Sequence, residues 1–215
     1  MATKKKSTKP APSRTKSAES TRDALLRVVV QMIDTYGESA VKLDDVLTKS
    51  NASVSSLYHH FGSLRGLVEE AQVQRFMMAR YFDIDRLRTG IEKMHTKAEF
   101  IELVDSVASG MISDGRTFNR MRRITALGSS ESNSSMRDKL VRLERESLEN
   151  VVESLKFAQA RGFISKTVDV EAATLWGTTV AFSRALIEIL DNQDLLNRWD
   201  VMAKRSIMQA FGLVK

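Results

Sequence analysis

Lys42-Leu43-Asp44-Asp45-Val46-Leu47-Thr48-Lys49-Ser50-Asn51-Ala52-Ser53-Val54-Ser55-Ser56-Leu57-Tyr58-His59-His60-Phe61-Gly62-Ser63-Leu64-Arg65-Gly66-Leu67-Val68 is the most informative run of this chain. It reads as two short helices around a tight turn, followed by the start of a longer helix. The first spans about Leu43 to Ser50, with Asp44 and Asp45 near its positive end. Asn51 supplies the turn, since asparagine is the non-glycine residue that most readily accepts φ > 0. The second covers roughly Val54 to His60, and Ser63 is an N-cap for the third. A short helix crowded with small hydroxyls, one tyrosine and two histidines makes poor core material. It suits a polar, anionic surface such as the major groove of DNA.

Working outward, a preceding helix starts at Ser20, with Asp23 as a capping-box-like partner, and stops at Gly37. Leu25, Val29, Met32, Ile33 and Tyr36 share one of its faces. The helix opened by Ser63 places Leu64, Leu67, Val68 and Ala71 on one side and continues to about Phe82. The expected core of this unit is Leu25, Val29, Ile33, Val46, Leu57, Phe61, Leu67 and Val68. Further helices are predicted near 84–94, 97–113, 117–127, 134–161, 169–191 and 195–211, with Gly128 to Ser135 as the most loop-like stretch. In the helix opened by Asp169, Ala172, Leu175, Trp176, Val180, Ser183 and Ile187 suggest a broad apolar face.

Composition supports an all-α fold. The only prolines of the 215 residues are Pro10 and Pro12, so the body lacks the strongest helix breaker. There is no cysteine, which excludes disulfides and thiolate chemistry and makes a reducing cytoplasm the expected compartment. The basic N-terminal residues are not followed by an apolar stretch, and no run approaches the roughly 18 apolar residues of a membrane span. Neither a secretory signal nor a membrane association is expected.

The net charge of +6 is unevenly placed. Residues 1–22 hold seven basic side chains and one acidic one, while the remaining 193 balance at 26 of each sign. The expected organisation is a disordered basic arm over 1–19, a helix-turn-helix unit over 20–70 and a helical domain over 71–215. A Lys/Ser/Thr/Pro-rich arm can follow DNA phosphates or enter a minor groove, or simply act as a solubilising tail. Residues 20–70 themselves contain five basic and seven acidic side chains. DNA affinity in this unit would rest on local placement, helix N-termini and the arm.

The stretch Val46 to Val68 resembles the TetR family of bacterial transcriptional regulators through Ser53-x-x-Ser56-Leu57-Tyr58-His59-His60-Phe61-x-Ser63-x-x-x-Leu67. The resemblance implies an N-terminal three-helix DNA-binding unit, a C-terminal helical bundle for ligand binding and dimerisation, and no enzymatic role. It makes Val54, Ser55 and Ser56 candidates for base-edge contact and Tyr58 and His60 candidates for phosphates, with Ser53 and His59 beside them. Leu57 and Phe61 match the buried, docking side. Three positions depart from the family pattern. Lys42 stands where a Ser or Thr cap is usual, Asn51 replaces the turn glycine, and Leu64 replaces a phosphate-gripping lysine, with Arg65 next to it as a substitute.

For the C-terminal part, Met77, Met78, Met94, Met111, Met121, Trp176 and Phe182 are candidate lining of an effector pocket, with ordinary core packing the alternative for each. Trp176, Ser183, Ile187, Trp199, Met202 and Met208 are candidates for a homodimer seam. Arg120, Arg122 and Arg123 read as a solvated face in preference to an effector site. His59 and His60 diverge around their helix and lack companion ligands, so no metal is expected, and no cofactor either. No catalytic set is recognisable. The expected function is a homodimeric, ligand-responsive regulator, most simply a repressor, on a palindromic double-stranded operator. A small-molecule-binding bundle without a DNA role is the alternative.

Overall fold

Ser20 opens the first helix: its hydroxyl accepts from the backbone N–H of Asp23 at 3.1 Å and donates to the Asp23 carboxylate at 2.7 Å. Such a cap offsets one of the unpaired amides at a helix start, contributing about 1 kcal/mol. The same solution recurs at Ser53, Ser63, Thr96, Asn133, Asp169 and Asn192, so local chemistry sets most helix starts. The structure, a computed structural model, describes residues 19–79 and 84–214. Residues 1–18 of the expected arm, and the stretch in which the fourth helix was expected to end, lie outside the described residues.

Ten α-helices follow one another, with no strand among the described residues: α1 (Thr21–Tyr36), α2 (Leu43–Ser50), α3 (Val54–Phe61), α4 (Leu64–Met78), α5 (Ile84–Lys93), α6 (Lys97–Met111), α7 (Thr117–Ser130), α8 (Ser134–Ala160), α9 (Val170–Glu188) and α10 (Gln193–Ala210). The expected stops are in place, with Gly37 at φ 83° and Asn51 in the left-handed region at φ 53°. The corner between α3 and α4 depends on Gly66. A Cβ there would come within 2.2 Å of the Phe61 carbonyl oxygen, so a side chain would force the two helices apart.

α1 to α4 enclose one core, built on Leu25, Val29, Ile33, Val46, Leu57, Leu67 and Ala71, with Phe61 and Val68 packed at its edge. The larger core lies among α5, α6, α8, α9 and α10 and includes Ile91, Phe100, Leu155, Ile164, Ile207 and Phe211. α4 belongs to both halves: its Phe76 packs with Ala126 of α7 and with Met136 and Leu140 of α8.

Five expectations are corrected. Tyr36 is 67% exposed. It sits in the last turn of α1, where its ring meets the ammonium of Lys49 at 5.8 Å. The supposed loop at 128–135 is largely helical, because α7 runs to Ser130 and α8 begins at Ser134. Ser129 donates to Glu38 at 2.6 Å and Ser130 to the Leu127 carbonyl at 2.7 Å, which occupies the hydroxyls that would compete with the helix. On α9 the buried side is made of Ala173, Thr174, Gly177, Ala181 and Ala185, while Leu175 and Trp176 face outward. Small residues let α10 approach, and a Cβ on Gly177 would stand 3.5 Å from Ile207 Cγ2. Met208, expected at a subunit seam, is buried in the larger core.

The arginines of α7 are the fifth correction, being paired instead of solvated. Arg120 is fully buried and donates to the carbonyls of Met111 and Ser113, both at 3.1 Å, and to Glu188 of α9. Arg184, also buried, binds Asp200 through two nitrogens at 2.7 and 2.9 Å, Asp114 at 2.7 Å, and Glu188. Burial opposes ionisation of Glu188, but hydrogen bonds from Arg120, Thr117 and Arg184 outweigh it and hold its carboxyl below the ordinary range. Burial likewise opposes ionisation at Asp34, where hydrogen bonds from Arg122 and Arg75 prevail.

A carboxyl with a lowered folded-state pKa stabilises fully above its unfolded value, and that stabilisation is lost as pH falls through the folded value. Urea melts should therefore show stability unaffected by these two groups down to about pH 5 and declining below about pH 4. Glu188→Gln should reduce stability at pH 7 and make the acid decline shallower; a decline of unchanged slope would contradict the assignment.

Candidate nucleic-acid interface

α3 is eight residues long, about 12 Å, close to the width of a DNA major groove. Its inward side is Leu57, with no exposed surface, and Phe61, half-buried against α1 and α4. Val54, Ser55, Tyr58, His59 and His60 are exposed, Tyr58 by 52%. Residues three and four apart share a side, so Leu57 and Phe61 occupy the inner one, Ser55 and His59 lie opposite, and Val54, Tyr58 and His60 flank the boundary.

Ser53 and Ser56 are less free than the sequence suggests. The Ser53 hydroxyl accepts from the Ser56 amide at 3.1 Å and lies 2.9 Å from the Ser56 hydroxyl. Both are engaged in capping α3, which leaves Ser55 as the serine turned outward with its hydroxyl unshared in this motif. The two histidines occupy the last turn, with ring centroids 5.1 Å apart and edge-to-face. A cation is favoured at that helix end.

Lys42, at the N-cap of α2, makes no side-chain capping bond and is exposed. Arg65 is exposed on the first turn of α4, where it pairs with Glu69 at 3.2 Å. That exposed pair contributes little, and a phosphate could compete for the guanidinium. Arg22, which the sequence counts with the basic charge of the first 22 residues and not among the contact candidates, lies in the first turn of α1. Its guanidinium lies 5.3 Å from the Phe61 ring, so the start of α1 adjoins the end of α3. The only sequence signal was its place two residues after the Ser20 cap.

The acidic excess of residues 20–70 is largely drawn away from this surface. Asp34 and Glu38 are bound to α4 and α7. Glu69 accepts from Asn133 at 2.5 Å and Glu70 from Lys139 at 2.5 Å on the C-terminal helices, and the same two acids also pair with Arg65 and Arg22 on the side of α3. Asp23 is engaged with Ser20. Asp44 and Asp45 remain exposed, at the N-terminal turn of α2.

The methionines and aromatics expected to line one pocket are not brought together. Met111 borders an apolar cavity of about 50 Å³ between α6, α8, α9 and α10, beside Val104, Leu155, Gly177 and Phe211. Met94 packs against the larger core, and Phe182 lies with Trp199 between α6, α9 and α10. Met77, Met78, Met121 and Trp176 are exposed. Periodicity tells which residues share a helix side, but not which helix will face them. Among the described residues no group of three or more His, Asp or Glu side chains could hold a metal, and no helix is long and apolar enough to cross a membrane.

No family model and no curated protein matches the sequence. Solved structures do match it over most of its length. A TetR-family transcriptional regulator from Cytophaga hutchinsonii superposes with a TM-score of 0.65 at 15% identity, over 88% of this chain and 94% of that one. A Rhodococcus sp. protein assigned to the same family gives 0.64 at 19% identity, over 89% and 98%. The fatty acid degradation regulator FadR from Bacillus halodurans gives 0.59 at 14% identity, over 93% and 99%. From cap to final helix, this chain therefore has the fold of the TetR-family transcriptional regulators.

Proposed function

We propose that the chain is a sequence-specific DNA-binding transcriptional regulator, a cytoplasmic repressor that acts as a homodimer on a palindromic operator. The observation that carries this reading is the two-sided α3, anchored by Leu57 and Phe61 and presenting Val54, Ser55, Tyr58, His59 and His60 outward. Two copies of such a helix enter successive major grooves about 34 Å apart. Val54 and Ser55 meet base edges, where the valine methyls suit a thymine methyl and the hydroxyl donates or accepts. Tyr58, His59, His60, Lys42 and Arg65 hold phosphates and set the register. The arm over 1–19 adds charge beside the Arg22 end of α1.

The homodimer rests on α9 and α10. Leu175, Trp176, Leu186, Val201 and Met202 are all exposed on the single chain, Met202 by 73%. Large apolar side chains gathered on neighbouring helices are the mark of a surface that is covered in the assembly. Ser183, Ile187 and Trp199, each half-buried, border them. A small-molecule effector in the body then favours a dimer with the wrong spacing of its two α3 helices, by no more than its difference in affinity for the two states.

Tyr58→Ala combined with His60→Ala should weaken binding to duplexes selected by the wild type about tenfold or more, with an unchanged helical circular dichroism spectrum. Undiminished affinity in fluorescence anisotropy would remove α3 from the interface. Deleting residues 1–19 should lower affinity and flatten the dependence of log K on log salt by about one unit for each phosphate that the arm neutralises. An identical slope would exclude the arm. Trp176→Glu with Met202→Glu should give a monomer in sedimentation equilibrium at concentrations where the wild type sediments as a dimer.

A further inference from the structure

α3 is joined to the body of the molecule through α4, and the apolar packing of the molecule leaves one side of that joint open. Buried apolar contacts tie α1 to α4, and others tie α4 to α7 and α8. Among the described residues no buried apolar cluster contains both α1 and α7. Polar side chains close that third side. Asp34 of α1 accepts from Arg75 Nε of α4 at 2.8 Å and from Arg122 Nε of α7 at 3.1 Å, and its second oxygen takes the Arg122 Nη2. Just beyond the end of α1, past the break at Gly37, Glu38 accepts from Gln72 of α4 and Ser129 of α7, both at 2.6 Å. Arg75 also donates to Gln72 and to Thr125, so the carboxylates, the amide and the guanidinia form one network.

The chemistry of this brace differs from that of an apolar contact. Aliphatic surfaces slide over each other at small cost, whereas a two-pronged guanidinium–carboxylate pair has one good geometry. The Asp34, Arg75 and Arg122 side chains retain only 12%, 5% and 15% of their exposure, so water cannot readily substitute for a missing partner. The far end of the brace is also held. Two residues along α7, Arg120 is bound to the carbonyls of Met111 and Ser113 and to Glu188 at the end of α9. Paired side chains thus tie α9 to α7 and, two residues along the same helix, α7 to α1, against which α3 packs.

We propose that Asp34 is a positioning residue whose grip by Arg75 and Arg122 fixes the angle of α3 to the body and thereby sets the half-site spacing that the dimer accepts. This rests on the reading of the chain as a dimeric operator-binding protein. Asp34 touches no DNA; it acts through the orientation of α1. Without the brace α1 to α4 remain folded as a unit, because their core of Leu25, Val29, Val46, Leu57 and Leu67 does not include it. The unit gains freedom to swing against α7, and the dimer tolerates operators of unequal spacing.

The test uses the full chain and duplexes that the wild type selects from a randomised pool, remade with one or two base pairs added to or removed from the spacer between half-sites. Wild type should prefer its own spacing over the altered ones by about tenfold or more. Asp34→Asn and Arg122→Gln should cut that preference to about threefold or less while binding a single half-site as wild type does. Arg122→Gln, at a less buried position, serves if Asp34→Asn does not fold. Variants that lose affinity evenly across all spacings, or keep the wild-type ratio, would overturn the proposal. A wild type that selects no duplex would overturn the DNA-binding reading itself, and this inference with it.

Discussion

Three arginines within one turn of α7 hold the separate parts of this molecule in one arrangement. Arg120 reaches Glu188 of α9, Arg122 reaches Asp34 of α1, and Arg123 reaches Glu144 of α8 at 2.6 Å while lying 4.1 Å from the ring of Phe76 in α4. Burying a guanidinium and a carboxylate together costs desolvation about equal to what their attraction returns, so such pairs are poor sources of net stability. They are sensitive to being half-broken, since either partner left alone stays charged in a medium with little water. Their consequence is directional: α7 cannot rotate without breaking several of them together.

The same pairs account for the charge pattern of the N-terminal unit. With seven acidic and five basic residues, it would repel a polyanion if the charges were spread evenly. Asp34 and Glu38 are instead turned toward α4 and α7, and Glu69 and Glu70 of α4 reach Asn133 and Lys139, where arginine, lysine, glutamine, serine and asparagine side chains meet them. Asp34 and Glu38 are thereby withdrawn from the surface around α3, while Glu69 and Glu70 also neutralise Arg65 and Arg22 beside it. One set of carboxylates serves both cohesion and electrostatics.

The C-terminal helices show the converse sorting. α9 turns alanine, glycine and threonine inward and leaves leucine and tryptophan outside, the reverse of what a solitary amphipathic helix does. Thr174 and Thr178 spend their hydroxyls on backbone carbonyls of their own helix, and Arg184 is the inner polar group that reaches across to Asp200 of α10. Close approach of two helices is gained, and the bulky side chains become available to a second molecule.

Helix starts and stops were legible from single residues, because a serine hydroxyl three positions before an amide, or a residue able to take positive φ, acts within its own few neighbours. Ser20, Gly37, Asn51 and Ser63 all behave in this way. The two sides of α3 were legible too, since helical repeat and residue type suffice to separate Leu57 and Phe61 from Tyr58 and His59. Not legible were the partners of Arg120, Arg122 and Arg123, the outward turn of Trp176, the burial of Met208 and the scattering of the supposed pocket residues. The Asp34–Arg122 pair spans 88 positions in the chain. Local sequence determines which conformation a segment prefers; which charge meets which, and which apolar side is left uncovered, depends on how distant helices pack, and only the assembled fold decides that.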